Sequence, residues 1–211
     1  MVRLNVVMAL SGAVLAVCAL TPSAFAAQAA AVAAPAPIAP AVGQPGTAPK
    51  SPPPANAQPQ PGETPPDYLG VDRAGKPIKV SDYRGKLVVV SFWASWCGPC
   101  LRELPVLSAL QSGVGREHLQ VIAINLNEPK RDFNEFVRLN RHLDLTYIHD
   151  PGTVAKYYVV RSVPNLFVIN QQGVIAQVHR GYSAQMVEQF AKEVASLLPP
   201  EVLKLPARKR D

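Results

Sequence analysis

The sequence predicts an α/β sandwich built on a mixed sheet, and three observations carry that prediction. Residues 87–93 are a continuous apolar run, the pattern of a central strand covered on both faces, and residues 119–126 read as a second buried strand. Segments with helical spacing of apolar residues separate the strands, which calls for helices layered on the sheet. Residues 166–170 and 174–178 read as a hairpin across Gln171-Gln172-Gly173, which brings antiparallel pairing into the sheet.

The remaining elements follow in order. Residues 68–80 alternate apolar and polar side chains around Asp72-Arg73-Ala74-Gly75, an N-terminal β-hairpin with Gly75 allowing the turn. Residues 99–111 read as a helix that Pro105 is expected to kink, because proline removes a hydrogen bond. Residues 131–140 are helical, with Phe133, Phe136 and Val137 on one face. A short extended piece at 146–149 and a short helix at 152–158 come next. Ser183 is placed to cap a last helix in which Met186, Val187, Phe190, Val194 and Leu197 keep the helical period.

Outside this domain, expected at residues 67–199, composition changes. Arg3, an apolar stretch from residue 6 to 20 and Ala24-Phe25-Ala26 read as a signal peptide over residues 1–26 with an Ala-x-Ala cleavage site. A retained anchor, or a lipid-modified Cys18, are the alternatives. Residues 27–66 are rich in Ala, Pro and Gln and carry no charge before Lys50, so they read as a disordered linker. Such a linker reaches from about 35 Å as a coil to about 120 Å as polyproline II, which suits a membrane tether; a free tail is the other reading. Residues 200–211, with Lys204, Arg208, Lys209 and Arg210, read as a solvated basic tail. The net charge of +6 is spread thinly, which argues against a nucleic-acid partner.

Trp96-Cys97-Gly98-Pro99-Cys100 follows the 87–93 run and holds the only cysteines beyond residue 20. A strand that delivers Cys97 to the first turn of a helix sets its sulfur against unpaired backbone N–H groups and the positive end of the helix dipole. Both favour thiolate, the attacking species. Cys100, one turn further on, is placed to attack the mixed disulfide that Cys97 forms with a substrate. Pro99 suits the first turn, where its missing N–H costs nothing. A structural zinc site needs four ligands and no second cysteine pair exists. A purely structural disulfide across so short a loop would constrain the unfolded chain little.

These motifs together resemble the TlpA/ResA-like group of thioredoxin-fold thiol-disulfide oxidoreductases, over about residues 66–198. The resemblance rests on Leu69-Gly70, Gly75-Lys76-Pro77, Ser81-Asp82-Tyr83-Arg84-Gly85-Lys86, Phe92-Trp93-Ala94-Ser95-Trp96-Cys97-Gly98-Pro99-Cys100, Arg161-Ser162-Val163-Pro164, Gly173 and Gly181. It implies a thioredoxin fold with the family's αβ insertion at residues 125–150. It further implies a cis Val163–Pro164 peptide facing the cysteines, with Val163 and Pro164 forming a docking edge for substrate backbone. Many relatives carry threonine after this proline; here it is Asn165. Glu103, three residues beyond Cys100, matches a buried carboxylate near the family's active site; if buried here its pKa is raised and it can exchange a proton with the Cys100 thiol, the other reading being a solvated carboxylate on the helix surface. Thioredoxins proper place a buried Asp six residues before the first cysteine, where this chain has Ser91. Trp96, Gly98 and Pro99 would complete the substrate-facing surface, with Trp93 in the core.

The expected activity is reduction of protein disulfides in the periplasm: Cys97 nucleophile, Cys100 resolving thiol, Glu103 proton exchange. By family analogy, electrons would come from a DsbD/CcdA-like membrane thiol carrier, and the outlets would be cytochrome c maturation or copper-site cysteines. No cofactor is expected, since nothing resembles a flavin or nicotinamide site. No metal is expected either, since His118, His142, His149 and His179 lack ligand spacing. Two alternatives stay open: a disulfide oxidant or isomerase, because sequence does not fix a reduction potential, and a copper-carrying module without turnover. A thiol peroxidase would need a Thr-x-x-Cys segment, which the chain lacks.

Overall fold

The structure, a computed structural model, describes residues 56–203. The expected signal peptide, most of the expected linker and residues 204–211 of the expected tail lie outside the described residues. The hairpin strands β1 (Tyr68–Val71) and β2 (Pro77–Lys79) pair antiparallel. They precede a five-stranded sheet of β3 (Leu87–Trp93), β4 (Leu119–Leu126), β5 (Thr146–Asp150), β6 (Asn165–Ile169) and β7 (Ile175–Arg180). Its order is β5-β4-β3-β6-β7, parallel between β3, β4 and β5 and antiparallel between β3, β6 and β7. Among the described residues the α-helices are α1 (Gly98–Val114), α2 (Lys130–Leu139), α3 (Thr153–Tyr157), α4 (Ala184–Leu197) and α5 (Pro200–Leu203). This is the thioredoxin fold, with the end of β4, α2 and β5 occupying residues 125–150.

The two-residue period of β3 divides the core. Leu87, Val89 and Trp93 face one layer, shared with Leu104 and Leu107 of α1, Phe133 and Val137 of α2, and Phe190 and Val194 of α4. Val88, Val90 and Phe92 face the other, where the hairpin supplies Leu69 and Ile78 and α3 supplies Val154 and Ala155. Both faces of β3 are covered, which is why its sequence, Ser91 aside, is apolar instead of alternating. The hairpin lies close against β5: a Cβ on Gly70, at φ +107°, would sit 2.6 Å from Ile148 Cγ2, so only glycine fits there.

Two expected boundaries move. The linker was expected to run to residue 66, yet its last residues belong to the fold. Gly62 N–H donates to the Ile175 carbonyl at 2.8 Å, Ile175 N–H donates to the Glu63 carbonyl at 2.9 Å, and Pro65 is buried. The Tyr158 hydroxyl adds a bond to the Pro66 carbonyl at 2.8 Å. The Pro and Gln composition hid these contacts, because they are made by backbone. The solvated tail was expected from residue 200, but residues 200–203 form α5 and Val202 is buried in the core. Pro105 lies inside α1, which continues to Val114 and ends where the Gly115 N–H caps the Gln111 carbonyl at 2.8 Å.

α3 is only five residues long and is fixed at both ends. The buried Asp150 carboxylate accepts from the amides of Thr153, Val154 and Ala155 at 2.8, 3.0 and 2.8 Å, filling the free donors of the first turn. At the other end Val160 N–H reaches back to the Ala155 carbonyl and Val159 N–H to that of Lys156, with Val159 at φ 51°. This is the Schellman arrangement, whose left-handed position normally takes glycine. A β-branched side chain there costs about 1–2 kcal/mol, partly offset by glycine's greater freedom in the unfolded chain. Val159→Gly is therefore expected to stabilise the protein by about 0.5–1 kcal/mol and to raise Tm by about 1–4 °C, read by calorimetry.

Candidate active site

β3 ends at Trp93 and the chain turns at Ala94, whose carbonyl accepts from the Cys97 N–H at 3.1 Å. The turn delivers Cys97 as the N-cap of α1, with its sulfur accepting from the Cys100 N–H at 3.2 Å. This is the electrostatic setting that favours a thiolate at Cys97. Pro99 stands in the first turn, where no hydrogen bond is lost. Cys97 and Cys100 are joined by a disulfide, with Cα atoms 5.2 Å apart. Cys97 retains 5 % of its surface and Cys100 none, so an incoming disulfide meets Cys97 first and the second sulfur is reached only from within. Beside them Trp96 is 71 % exposed, whereas Trp93 is buried against Phe136 and Tyr147.

Register brings the second part of the site to the cysteines. Phe92 pairs with Asn165, so the antiparallel ladder carried two residues further sets Val163 across from Ala94. The ladder stops there because the Ala94 carbonyl is taken by Cys97. The Val163–Pro164 peptide is cis, and the Pro164 carbonyl accepts from Gly181 N–H at 2.9 Å. Among the described residues, the Val163 N–H and C=O have no hydrogen-bond partner. A free strand edge thus stands beside the reactive sulfur, open to an extended peptide.

The same two-residue period points Ser91 into the α1 layer. There its hydroxyl donates to Glu103 Oε1 at 2.7 Å, and Glu103 is only 6 % exposed. Burial pushes the Glu103 carboxyl up to about 7, with the Ser91 hydrogen bond pulling modestly the other way. α1 places this group one turn beyond Cys100, on the buried stripe that also carries Cys100, Leu104 and Leu107. An acid that titrates near neutrality beside a buried thiol can accept its proton as the thiol becomes nucleophilic. Glu103 also borders a small cavity of about 20 Å³, lined by Leu166, His179, Tyr182 and Phe190 among others, large enough for about one water.

One anchor of the site escaped the sequence reading. Glu128, in the loop after β4, accepts from Ser95 N–H at 2.8 Å, from the Ser95 hydroxyl at 2.5 Å and from the Asn125 amide. His149 Nε2 bonds the Glu128 backbone carbonyl at 2.7 Å. The insertion therefore clamps the turn that presents Trp96 and Cys97. The available signal was Asn125-x-x-Glu128 at the end of a buried strand, a place where polar side chains need a structural reason. Arg102, in the first turns of α1, lies over the Tyr182 ring, 6.0 Å from its centre.

Residues 61–178 match the model of the AhpC/TSA family. The chain belongs to that family. Two relatives place it further: the thiol-disulfide oxidoreductases ResA of Halalkalibacterium halodurans and Geobacillus kaustophilus are 33% and 31% identical to it. The first match covers 66% of this chain and 78% of the relative, the second 65% and 78%. A protein of Chlorobium tepidum assigned as thiol:disulfide interchange protein DsbE superposes with a TM-score of 0.62 at 28% identity, over 66% of this chain and 98% of the other. The family member described here is a thiol-disulfide oxidoreductase of the ResA/DsbE type, with Cys97 and Cys100 placed for its chemistry. Among the described residues, no helix is long and apolar enough to cross a membrane.

Proposed function

We propose that the protein is an exported protein-disulfide reductase acting in the periplasm. The observation that carries this reading is the free Val163 edge beside Cys97, which offers a protein chain a place to bind with its disulfide at the sulfur. The reaction starts from the dithiol. The Cys97 thiolate attacks one sulfur of the substrate disulfide; that S–S bond breaks, and the other substrate sulfur leaves as a thiolate that takes a proton. Glu103 accepts the proton of Cys100, whose thiolate attacks the Cys97 sulfur, breaks its bond to the substrate and expels the second substrate sulfur as a thiolate that takes a proton in turn. Two electrons and two protons pass to the substrate, and the Cys97–Cys100 disulfide remains.

Export rests on the signal-like residues 1–26, and tethering on the long segment after them. A DsbD/CcdA-like membrane thiol carrier would return the disulfide to the dithiol. The family resemblance names the outlets, cytochrome c maturation or copper-site cysteines. The purified chain equilibrated against defined ratios of reduced and oxidised thiol buffer tests the direction. A reduction potential well below about −200 mV is the expected result, and one near −120 mV would make the protein an oxidant.

A further inference from the structure

A cleft of about 490 Å³ opens beside the disulfide, between Trp96 on one wall and Val163 with α3 on the other. It runs on into a second depression of about 470 Å³ along α3, through Lys156 and Arg161, which line both, as far as the exposed Tyr157. Lys156 and Arg161 are exposed, and among the described residues neither has an ion-pair partner. Among the described residues no carboxylate lines either depression, and those nearest to it along the chain are engaged elsewhere. Glu128 is engaged by Ser95 and Asn125, and Asp150 by the first amides of α3. Asp132, at the start of α2, is paired with Arg131 at 3.0 Å. The groove is therefore a continuous concave surface with two uncompensated positive charges and an exposed indole at its active-site end. Walls of low dielectric focus such a field into the groove.

We infer that this groove receives an acidic, extended peptide segment flanking the substrate cysteine. The inference rests on the proposed reduction of protein disulfides and deepens it by naming the substrate class. The segment's backbone runs along the free edge at Val163, and an apolar residue next to the cysteine packs on Trp96. Its carboxylates meet Arg161, whose planar guanidinium can hold one by two parallel hydrogen bonds, and Lys156, which acts as a point charge. A basic segment finds no acid in the groove to pair with. The charge pattern thus sorts substrates before any sulfur chemistry starts.

The test uses two fluorescein-labelled peptides with one common centre, flanked by glutamates in one and by lysines in the other. A first measurement replaces the central cysteine by serine and reads anisotropy against the oxidised full-length protein at low salt, so that binding is seen without exchange. The acidic peptide is expected to bind about tenfold tighter, with the margin shrinking as salt rises. In the double variant Lys156→Glu with Arg161→Glu, the preference is expected to invert. Lys156→Glu alone, at an exposed position, serves if the double variant does not fold. Equal affinities for the two peptides, or a preference for acid that persists in the variants, would overturn the inference. A second measurement follows reduction of the same peptides carrying a mixed disulfide at the cysteine. Loss of that reaction alongside an intact acidic preference would sink the reductase reading and leave the groove assignment standing.

Discussion

Cys100→Ser is expected to halt the enzyme half-way, as a stable mixed disulfide between Cys97 and a substrate cysteine, whereas Cys97→Ser is expected to abolish reaction altogether. The asymmetry follows from burial. Cys97 keeps the exposed fraction of the pair and caps α1 with its sulfur, while Cys100 has no surface at all. With Cys100 gone, nothing inside reaches the Cys97 sulfur and the intermediate cannot be resolved. Non-reducing gels with an alkylating quench read this directly. A covalent adduct that forms with Cys100→Ser and vanishes with Cys97→Ser supports the assignment, and adducts in the reverse pattern would exchange the two roles. Neither variant should unfold. Closing so short a loop contributes about 2 kcal/mol in the chain-entropy account, a fraction of ordinary domain stability.

The second large effect concerns Glu103. Its carboxyl titrates at about 7 in the folded chain against the usual 4.5, because burial penalises the anion more than Ser91 supports it. Between those values the unfolded chain has released its proton and the folded chain still holds it, so stability falls as pH rises through that window. The contribution is fully present below about 4.5 and lost above about 7, an amount on the order of 3 kcal/mol. Glu103→Gln keeps a group that Ser91 can bond and removes the titration. Compared as disulfides, the variant should gain about 3 kcal/mol on wild type between pH 4.5 and pH 8, read by urea denaturation. Parallel stability curves for the two proteins would show that Glu103 titrates as an ordinary surface acid. The same substitution is expected to slow resolution by about 100-fold and to erase an inflection near pH 7 in the rate profile. A slowed rate with the inflection retained would point to a positional defect in place of lost proton exchange.

Much of this was legible in the chain. The runs at 87–93 and 119–126 coincide with β3 and β4, because strands covered on both faces are apolar at most positions. The Ser183 cap is in place, with its hydroxyl accepting from Met186 N–H at 3.3 Å. The pairing of Ser91 with Glu103 was half visible: the sequence displayed an acid after Cys100 and a serine where relatives differ, but not that one would hold the other. Asp150 could not be read, and Glu128 showed only as a polar residue beside a buried strand, since each acts on backbone amides or on side chains that only the folded loops bring near. The end of the linker was missed for the same reason. Gly62 and Glu63 join the fold through main-chain groups that every residue carries.

That last contact bears on the rim of the sheet. β7 is the outer strand of the sheet, and an outer strand offers its unpaired amides and carbonyls to any neighbouring chain. Gly62 and Glu63 occupy both backbone groups of Ile175, at the point where β7 begins. The stretch that looks like the last of a featureless tether is thus a stopper on the sheet's sticky rim. A chain trimmed to the boundary suggested by composition, at Asp67, would lose that stopper while keeping every catalytic group.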